Sequence, residues 1–77
     1  MDGKKLVKMA NEIAAFFAAE PRREVALEGI AGHLKRFWEP RMRREILAAL
    51  DAGGEGMSEH VVQALTAHRA NLEPVGK

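Results

Sequence analysis

The sequence contains no cysteine and no tyrosine. The absence of cysteine excludes disulfide bonds, cysteine-bound zinc and cysteine-ligated iron–sulfur clusters in this chain. The remaining imidazole ligands are His33, His60 and His68. His60 and His68 lie eight residues apart, slightly more than two helical turns, so one metal ion would not easily bridge them. We expect surface or rim positions for the histidines, and no metal or cofactor bound by this chain.

A strong net charge and long apolar runs are also lacking. Twelve basic residues against eleven acidic ones leave a net charge of +1, too small to indicate general affinity for nucleic acid or anionic membranes. No stretch approaches the ~18 apolar residues of a membrane span. The first 17 residues include five charged ones, so no signal peptide is predicted. We therefore expect a cytoplasmic protein without membrane contact.

Nucleophilic side chains are scarce, because only Ser58 and Thr66 carry an aliphatic hydroxyl. Ser58 precedes an apolar run, where a helix-capping serine is expected. The glycine-rich string at positions 53–56 lacks the Lys and Ser or Thr that follow the last glycine of a phosphate-binding loop. A chain of 77 residues is also too short for a deep catalytic cavity. The sequence thus predicts a protein without its own active site, which acts by contacting a partner.

The sequence does contain a helical pattern of apolar residues. Spacings of three and four predict a first amphipathic helix over positions 4–19, with Asp2 as its N-cap. Pro21 is expected to end this helix and to open the second, on which Gly29 and Gly32 would allow another helix to approach closely. The apolar stripe of the first helix consists of Leu6, Met9, Ala10, Ile13, Phe16 and Phe17.

Proline and glycine also delimit two further helices. Pro40 is expected to open a third helix, which Gly53 and Gly54 end. Ser58 is the expected N-cap of a fourth helix that runs to Leu72. We predict an all-α fold, a compact bundle of three to four short helices in a single domain over positions 1–77, with 1–3 and 73–77 frayed. The order and handedness of the helices remain open.

One segment, positions 35–44 (KRFWEPRMRR), combines two aromatic residues, a proline and five basic residues. If Phe37 and Trp38 both enter the core, the arginines are simply solvated, and at least one of the two aromatics is expected to be buried. Alternatively the segment docks onto a protein, because Trp, Met and Arg are enriched at interface centres. Nucleic-acid binding is a third alternative, with Trp38 stacked on a base, although Glu39 and Glu45 argue against it.

Charge is uneven around this segment. Positions 22–44 carry seven basic residues against three acidic ones, whereas the chain from position 45 onward carries two against five. The middle of the chain is therefore basic and its end acidic.

Three strings in this order carry a family resemblance: positions 9–17 (MANEIAAFF), 37–43 (FWEPRMR) and 53–56 (GGEG). Together they resemble the delta subunit of soluble NAD-dependent formate dehydrogenases that contain molybdenum or tungsten. The resemblance covers positions 6–65, and the aromatic-Trp-x-Pro-Arg-Met-Arg string is its most distinctive part.

This resemblance implies a complex that oxidises formate to carbon dioxide and passes the electrons to NAD. In that family the larger subunits hold the molybdenum or tungsten pterin, the iron–sulfur clusters, FMN and the NAD site. The delta subunit holds none of them and supports assembly, stability or cofactor insertion of the catalytic (alpha) subunit. A transient assembly chaperone that leaves the mature enzyme remains an alternative, as does a small nucleic-acid-binding protein. The isolated chain could also self-associate.

The docking face is expected to involve the distinctive string. Asn11 and the glycine-rich turn are secondary candidates. The residues of the string that we expect to form or support the docking face are Phe37, Trp38, Pro40, Arg41, Met42 and Arg43.

Overall fold

The computed structural model describes residues 3–74, which form five helices and, within that range, no strand. The helices are α1 (Gly3–Phe17), α2 (Arg23–Phe37), α3 (Pro40–Asp51), α4 (Glu59–Ala67) and α5 (Arg69–Leu72). The predicted all-α bundle of three to four short helices is confirmed, and α5 adds a single turn. The predicted cap at Asp2 lies outside the described residues, as do positions 1–2 and 75–77 of the segments predicted to be frayed (1–3 and 73–77).

The core lies where the apolar stripes of all five helices meet. Complete burial of one Leu, Ile or Val side chain contributes about 1.5–3 kcal/mol. The buried aliphatic side chains therefore contribute most of the stability of such a short chain. Trp38, directly after α2, joins them and is only 6% exposed. The largest fully buried side chains are Leu6, Ile30, Leu34, Ile46, Val61, Leu65 and Leu72.

The connection between α1 and α2 differs from the prediction. α1 ends at Phe17, and α2 begins at Arg23 with Arg22 as its N-cap, so Pro21 does not open the helix. The carboxylate of Glu20 accepts the backbone N–H of Arg22 at 3.0 Å. This bond stabilises a non-helical turn between α1 and α2, and Pro21 lies within that turn.

Three other predicted helix boundaries are confirmed. Pro40 is the first residue of α3, where its missing N–H is not needed. At the end of α3, the N–H of Gly53 bonds to the carbonyl of Leu50 and the N–H of Gly54 to that of Ala49. Both glycines have positive φ, of 122° and 65°, and this helix-ending motif requires a positive φ at the position of Gly53. The Ser58 hydroxyl caps α4 by accepting the Val61 N–H at 3.3 Å.

The predicted fourth helix is interrupted at His68, which ends α4 and precedes α5. Three side chains from two other helices, α2 and α3, hold α5 in place. Arg69 bonds both carboxylate oxygens of Asp51 at 2.8 and 2.7 Å, and Lys35 and Arg43 donate to backbone carbonyls at the end of α5. Hydrogen bonds from Arg69 hold the pKa of Asp51 below its ordinary value, although slight desolvation opposes them. This bend lets Leu72 reach the core.

Candidate docking surface

A groove runs between α1 and α2 on the outside of the bundle. It exists because Gly29 lets an aromatic ring lie against the backbone of α2: a Cβ atom at this position would stand 2.5 Å from Cδ1 of Phe17. The predicted close approach at Gly29 is therefore confirmed. At Gly32 an added Cβ would meet no atom within 4 Å, so the same prediction is wrong there.

Four rings follow one another along this groove. Phe16 and Phe17 meet edge to face with centroids 5.2 Å apart. Phe17 and His33 are 6.5 Å apart, and His33 and Phe37 are 4.8 Å apart. Such edge-on and tilted arrangements are favourable for aromatic pairs. Ile13 joins Phe16, Phe17 and His33 around a cavity of about 180 Å³.

The exposed large apolar side chains within residues 3–74 are Phe16 (75% exposed), Phe37 (66%) and Met9 (37%). Phe17 lies opposite Gly29, and Ile13 lines the same cavity as His33. Phe37 lies one helical turn beyond His33 on α2, and Met9 lies one helical turn from Ile13 on α1. Phe16 and Phe37 thus stand at the two ends of the row of rings, and the spacing along α1 places Met9 on the same face of that helix as Ile13 and Phe16. We call the set Met9, Ile13, Phe16, Phe17, His33 and Phe37 the aromatic groove.

The distinctive string at positions 37–43 is divided between the core and the surface. Trp38 is buried, and Met42 packs against the core. Arg43 donates from Nη1 to the carbonyl of Leu72 at 3.4 Å, while its buried Nε has no hydrogen-bond partner. Phe37, Pro40 and Arg41 are exposed. Because Trp38 is buried, it is not available to stack on a nucleic-acid base.

Arginines without a carboxylate partner lie beside the exposed part of the string. The Cζ atom of Arg36 is 5.9 Å from the centroid of the Phe37 ring. Arg36, Arg41 and Arg44 are all exposed. None of them forms an ion pair with another residue of the described chain, in contrast to Arg22, Arg23 and Arg69. Arg36, beside the Phe37 ring, therefore carries a positive charge that no carboxylate among residues 3–74 neutralises.

Asn11, a secondary docking candidate, is half-buried and uses both ends of its side-chain amide within the chain. It donates to the carbonyl of Gly56 and accepts the N–H of Ser58. These bonds join α1 to the glycine-rich turn, so the structure brings the two secondary candidates together. It places them away from the aromatic groove, on the flank of α1 that faces α3.

A second cavity, of about 510 Å³, lies beside Asn11. Its lining combines small and apolar residues of α1, α3 and the glycine-rich turn with four polar or charged side chains, those of Lys4, Lys8, Asn11 and Glu55. Across residues 3–74, no three His, Asp or Glu side chains lie close enough together to hold a metal ion. In the same range, no helix is long and apolar enough to cross a membrane.

Phe16, Phe17 and His33 were not among the sequence-predicted docking residues. The apolar pattern assigned Met9 and Phe16 to the buried stripe of the first helix, whereas the structure exposes both. The sequence did contain one indication that a phenylalanine of α1 is exposed. Adjacent residues on a helix point about 100° apart, so Phe16 and Phe17 cannot both face the centre of one narrow core.

The family model described as NADH-dependent formate dehydrogenase delta subunit FdsD matches residues 5–65. No curated protein and no solved structure gives a significant match. The matched residues include all three strings on which the resemblance rests and every residue of the aromatic groove. The family resemblance is therefore confirmed, and this chain belongs to the NADH-dependent formate dehydrogenase delta subunit family.

Proposed function

We propose that this chain is a non-catalytic accessory subunit of an NAD-dependent formate dehydrogenase and acts by docking onto the catalytic (alpha) subunit. Its membership of the delta subunit family supports a place in that complex. The absence of cysteine supports an electron path that runs through iron–sulfur clusters of other subunits. The molybdenum or tungsten pterin, FMN and NAD are likewise proposed to reside in those subunits.

The observation that carries this proposal is the uncovered aromatic groove. Phe16 and Phe37 leave most of their rings in water, although a short chain needs every apolar contact for its stability. Contiguous exposed apolar surface of this kind marks protein interaction sites. Arg36, beside Phe37, adds a guanidinium group, and aromatic residues and arginine are the types that contribute most at interface centres.

Docking of this kind would stabilise the catalytic subunit, or would stabilise the conformation in which that subunit can take up its cofactors. A ligand that binds one state of a protein stabilises that state in proportion to its affinity and concentration. An accessory subunit without chemistry of its own can therefore raise the yield of loaded enzyme. We expect this to take place in the cytoplasm.

The proposal is tested by expressing an affinity-tagged form of this chain together with the other subunits of the complex. We expect the catalytic subunit to remain bound through affinity purification and size exclusion, and the complex to reduce NAD with formate. Enzyme produced without this chain should contain less pterin cofactor or dissociate more readily. Absence of the catalytic subunit from the purified material would overturn the proposal.

The same preparation distinguishes a permanent subunit from a transient assembly chaperone. A permanent subunit is present at constant stoichiometry in the cofactor-loaded enzyme. A chaperone is found with the cofactor-free catalytic subunit and is lost from the loaded one. Mass spectrometry of the size-exclusion fractions gives the stoichiometry of this chain and the catalytic subunit. Metal analysis of the same fractions gives the share of catalytic subunit that holds its metal cofactor.

A further inference from the structure

We infer that the aromatic groove binds one amphipathic helix of the catalytic subunit, whose apolar face carries carboxylates along its edge. This inference rests on the proposed function and adds the surface that is used and the chemistry of the segment that occupies it.

The shape of the groove fits a helix. Its walls are α1 and α2, and a third helix can pack its side-chain ridges into a groove between two helices. On α1, Met9 lies two helical turns, or about 11 Å, from Phe17, and on α2, Phe37 lies the same distance along the helix from Gly29. Helices that bind in grooves present apolar anchors at positions i, i+4 and i+7, which span this length.

The cavity within the groove fits one apolar anchor. It holds about 180 Å³ between Ile13, Phe16, Phe17 and His33. A cavity of ~150 Å³ lined by apolar side chains admits a benzene ring, so a single Leu, Met or Phe of the incoming helix can enter. The surrounding rings would then contact the sides of this inserted side chain.

The positive charge beside the groove indicates which residue types border the apolar face of the incoming helix. Arg36 lies against the ring of Phe37 and has no carboxylate partner among residues 3–74. Guanidinium groups bind carboxylates through paired hydrogen bonds, which strengthen where water is excluded. Asp or Glu side chains on the border of the incoming helix would supply these partners.

A second copy of this chain fits the groove less well. The groove includes α2, which carries three basic residues (Arg23, Lys35 and Arg36) against two acidic ones (Glu24 and Glu28). A two-fold axis through the groove would bring this helix against itself. Repulsion between like charges would then oppose the contact, whereas an acidic helix of another protein meets no such opposition.

The inference is tested in the assembled complex by photo-crosslinking. Benzoylphenylalanine replaces Phe16 or Phe37, which keeps an aromatic ring at each position, and a control places it at Thr66, exposed on α4. We expect cross-links from positions 16 and 37 to a single helical segment of the catalytic subunit that contains Asp or Glu. We expect none from position 66.

Three outcomes would overturn the inference. These are cross-links to a second copy of this chain, cross-links to the catalytic subunit from position 66 alone, or an intact complex without cross-links from positions 16 and 37. In the last two cases the proposed function survives. If the unmodified chain does not retain the catalytic subunit, the proposed function itself fails, and the two results are distinguishable.

A charge-reversal pair tests the acidic border separately. Arg36→Glu is expected to weaken binding to the catalytic subunit at least tenfold, whereas Arg36→Lys, which keeps the charge, loses less. Lys8→Glu makes the same change of charge at an exposed position of α1 that faces the other cavity, and should leave binding within twofold. Equal losses for Arg36→Glu and Lys8→Glu would contradict an acidic occupant.

Discussion

Asn11 and Ser58 lie 47 positions apart and are joined by a hydrogen bond, in which Oδ1 of Asn11 accepts the backbone N–H of Ser58 at 2.9 Å. Nδ2 of the same side chain donates to the carbonyl of Gly56, also at 2.9 Å. One amide thus satisfies two backbone groups of the turn between α3 and α4. It fixes the start of α4 against α1, and with it the position of the α4 side chains in the core.

Replacement of Asn11 by Ala should therefore destabilise the fold. Each lost hydrogen bond costs about 0.5–1.5 kcal/mol, so we expect a loss of roughly 1–3 kcal/mol in the free energy of unfolding. Urea denaturation followed by circular dichroism measures it. Asn71→Ala is the control, because that exposed side chain forms no hydrogen bond among the described residues. Equal stability of the two variants would show that the turn does not depend on Asn11.

The two glycines of α2 should respond differently to alanine. Gly32→Ala should stabilise the chain by up to about 1 kcal/mol, because alanine favours helix and its Cβ would meet open space. At Gly29 the same gain is opposed by the Phe17 ring, and overpacking costs about 1–3 kcal/mol. We therefore expect Gly29→Ala to be less stable than Gly32→Ala by thermal denaturation. The opposite order would mean that Phe17 does not lie against α2.

Substitutions of the adjacent aromatic residues Phe37 and Trp38 should have different effects on stability, because Trp38 is part of the core and Phe37 belongs to the proposed docking surface. Trp38→Ala removes a buried side chain and should cost about 3–5 kcal/mol, which is comparable to the whole net stability expected of a chain this short. Phe37→Ser should cost less than about 1 kcal/mol, because most of the ring is already in water. Chemical denaturation of the two variants gives the comparison. Similar losses would indicate that Phe37 is also part of the core.

The ion pair between Asp51 and Arg69 predicts a dependence of stability on pH. The hydrogen bonds from Arg69 lower the pKa of Asp51 below its ordinary value of 3.8. The folded chain therefore takes up this proton less readily than the unfolded chain, and the contribution to stability is present above pH 3.8 and lost as the pH falls through the lowered pKa.

Asp51→Asn tests this dependence. The difference in Tm between the natural chain and this variant should be positive at pH 7 and should shrink toward zero in strong acid. A difference that stays constant from pH 7 to about pH 2, below the ordinary range of aspartate pKa values, would contradict the assignment to Asp51.

Local rules predicted the boundaries that one residue determines by itself. Pro40 fixes the start of α3 through its ring, Gly53 ends α3 through its positive φ, and Ser58 caps α4 through its hydroxyl. Pro21 was misplaced because a neighbouring side chain, Glu20, bonds the backbone of Arg22 and delays the helix. A competing contact of this kind leaves no mark in the spacing of apolar residues.

The aromatic groove depends on relations that periodicity does not contain. Phe17 and Gly29 meet only when α1 and α2 pack in one particular register. The spacing of apolar residues shows which face of a helix is apolar, but not which part of that face a second helix covers. Phe16 was therefore assigned to the core, although it lies at the edge of the covered area. Of the distinctive string, the sequence could not tell the buried Trp38 from the exposed Phe37.

The most direct test of docking through the aromatic groove is the affinity of the catalytic subunit for the Phe16→Ser/Phe37→Ser double variant. We predict at least a hundredfold weaker binding than for the natural chain, because each lost anchor accounts for roughly 1.4 kcal/mol or more. A control with Thr66→Ser and Asn71→Ser should bind normally, and both variants should have natural helix content by circular dichroism. Unchanged affinity of the folded double variant would contradict the account.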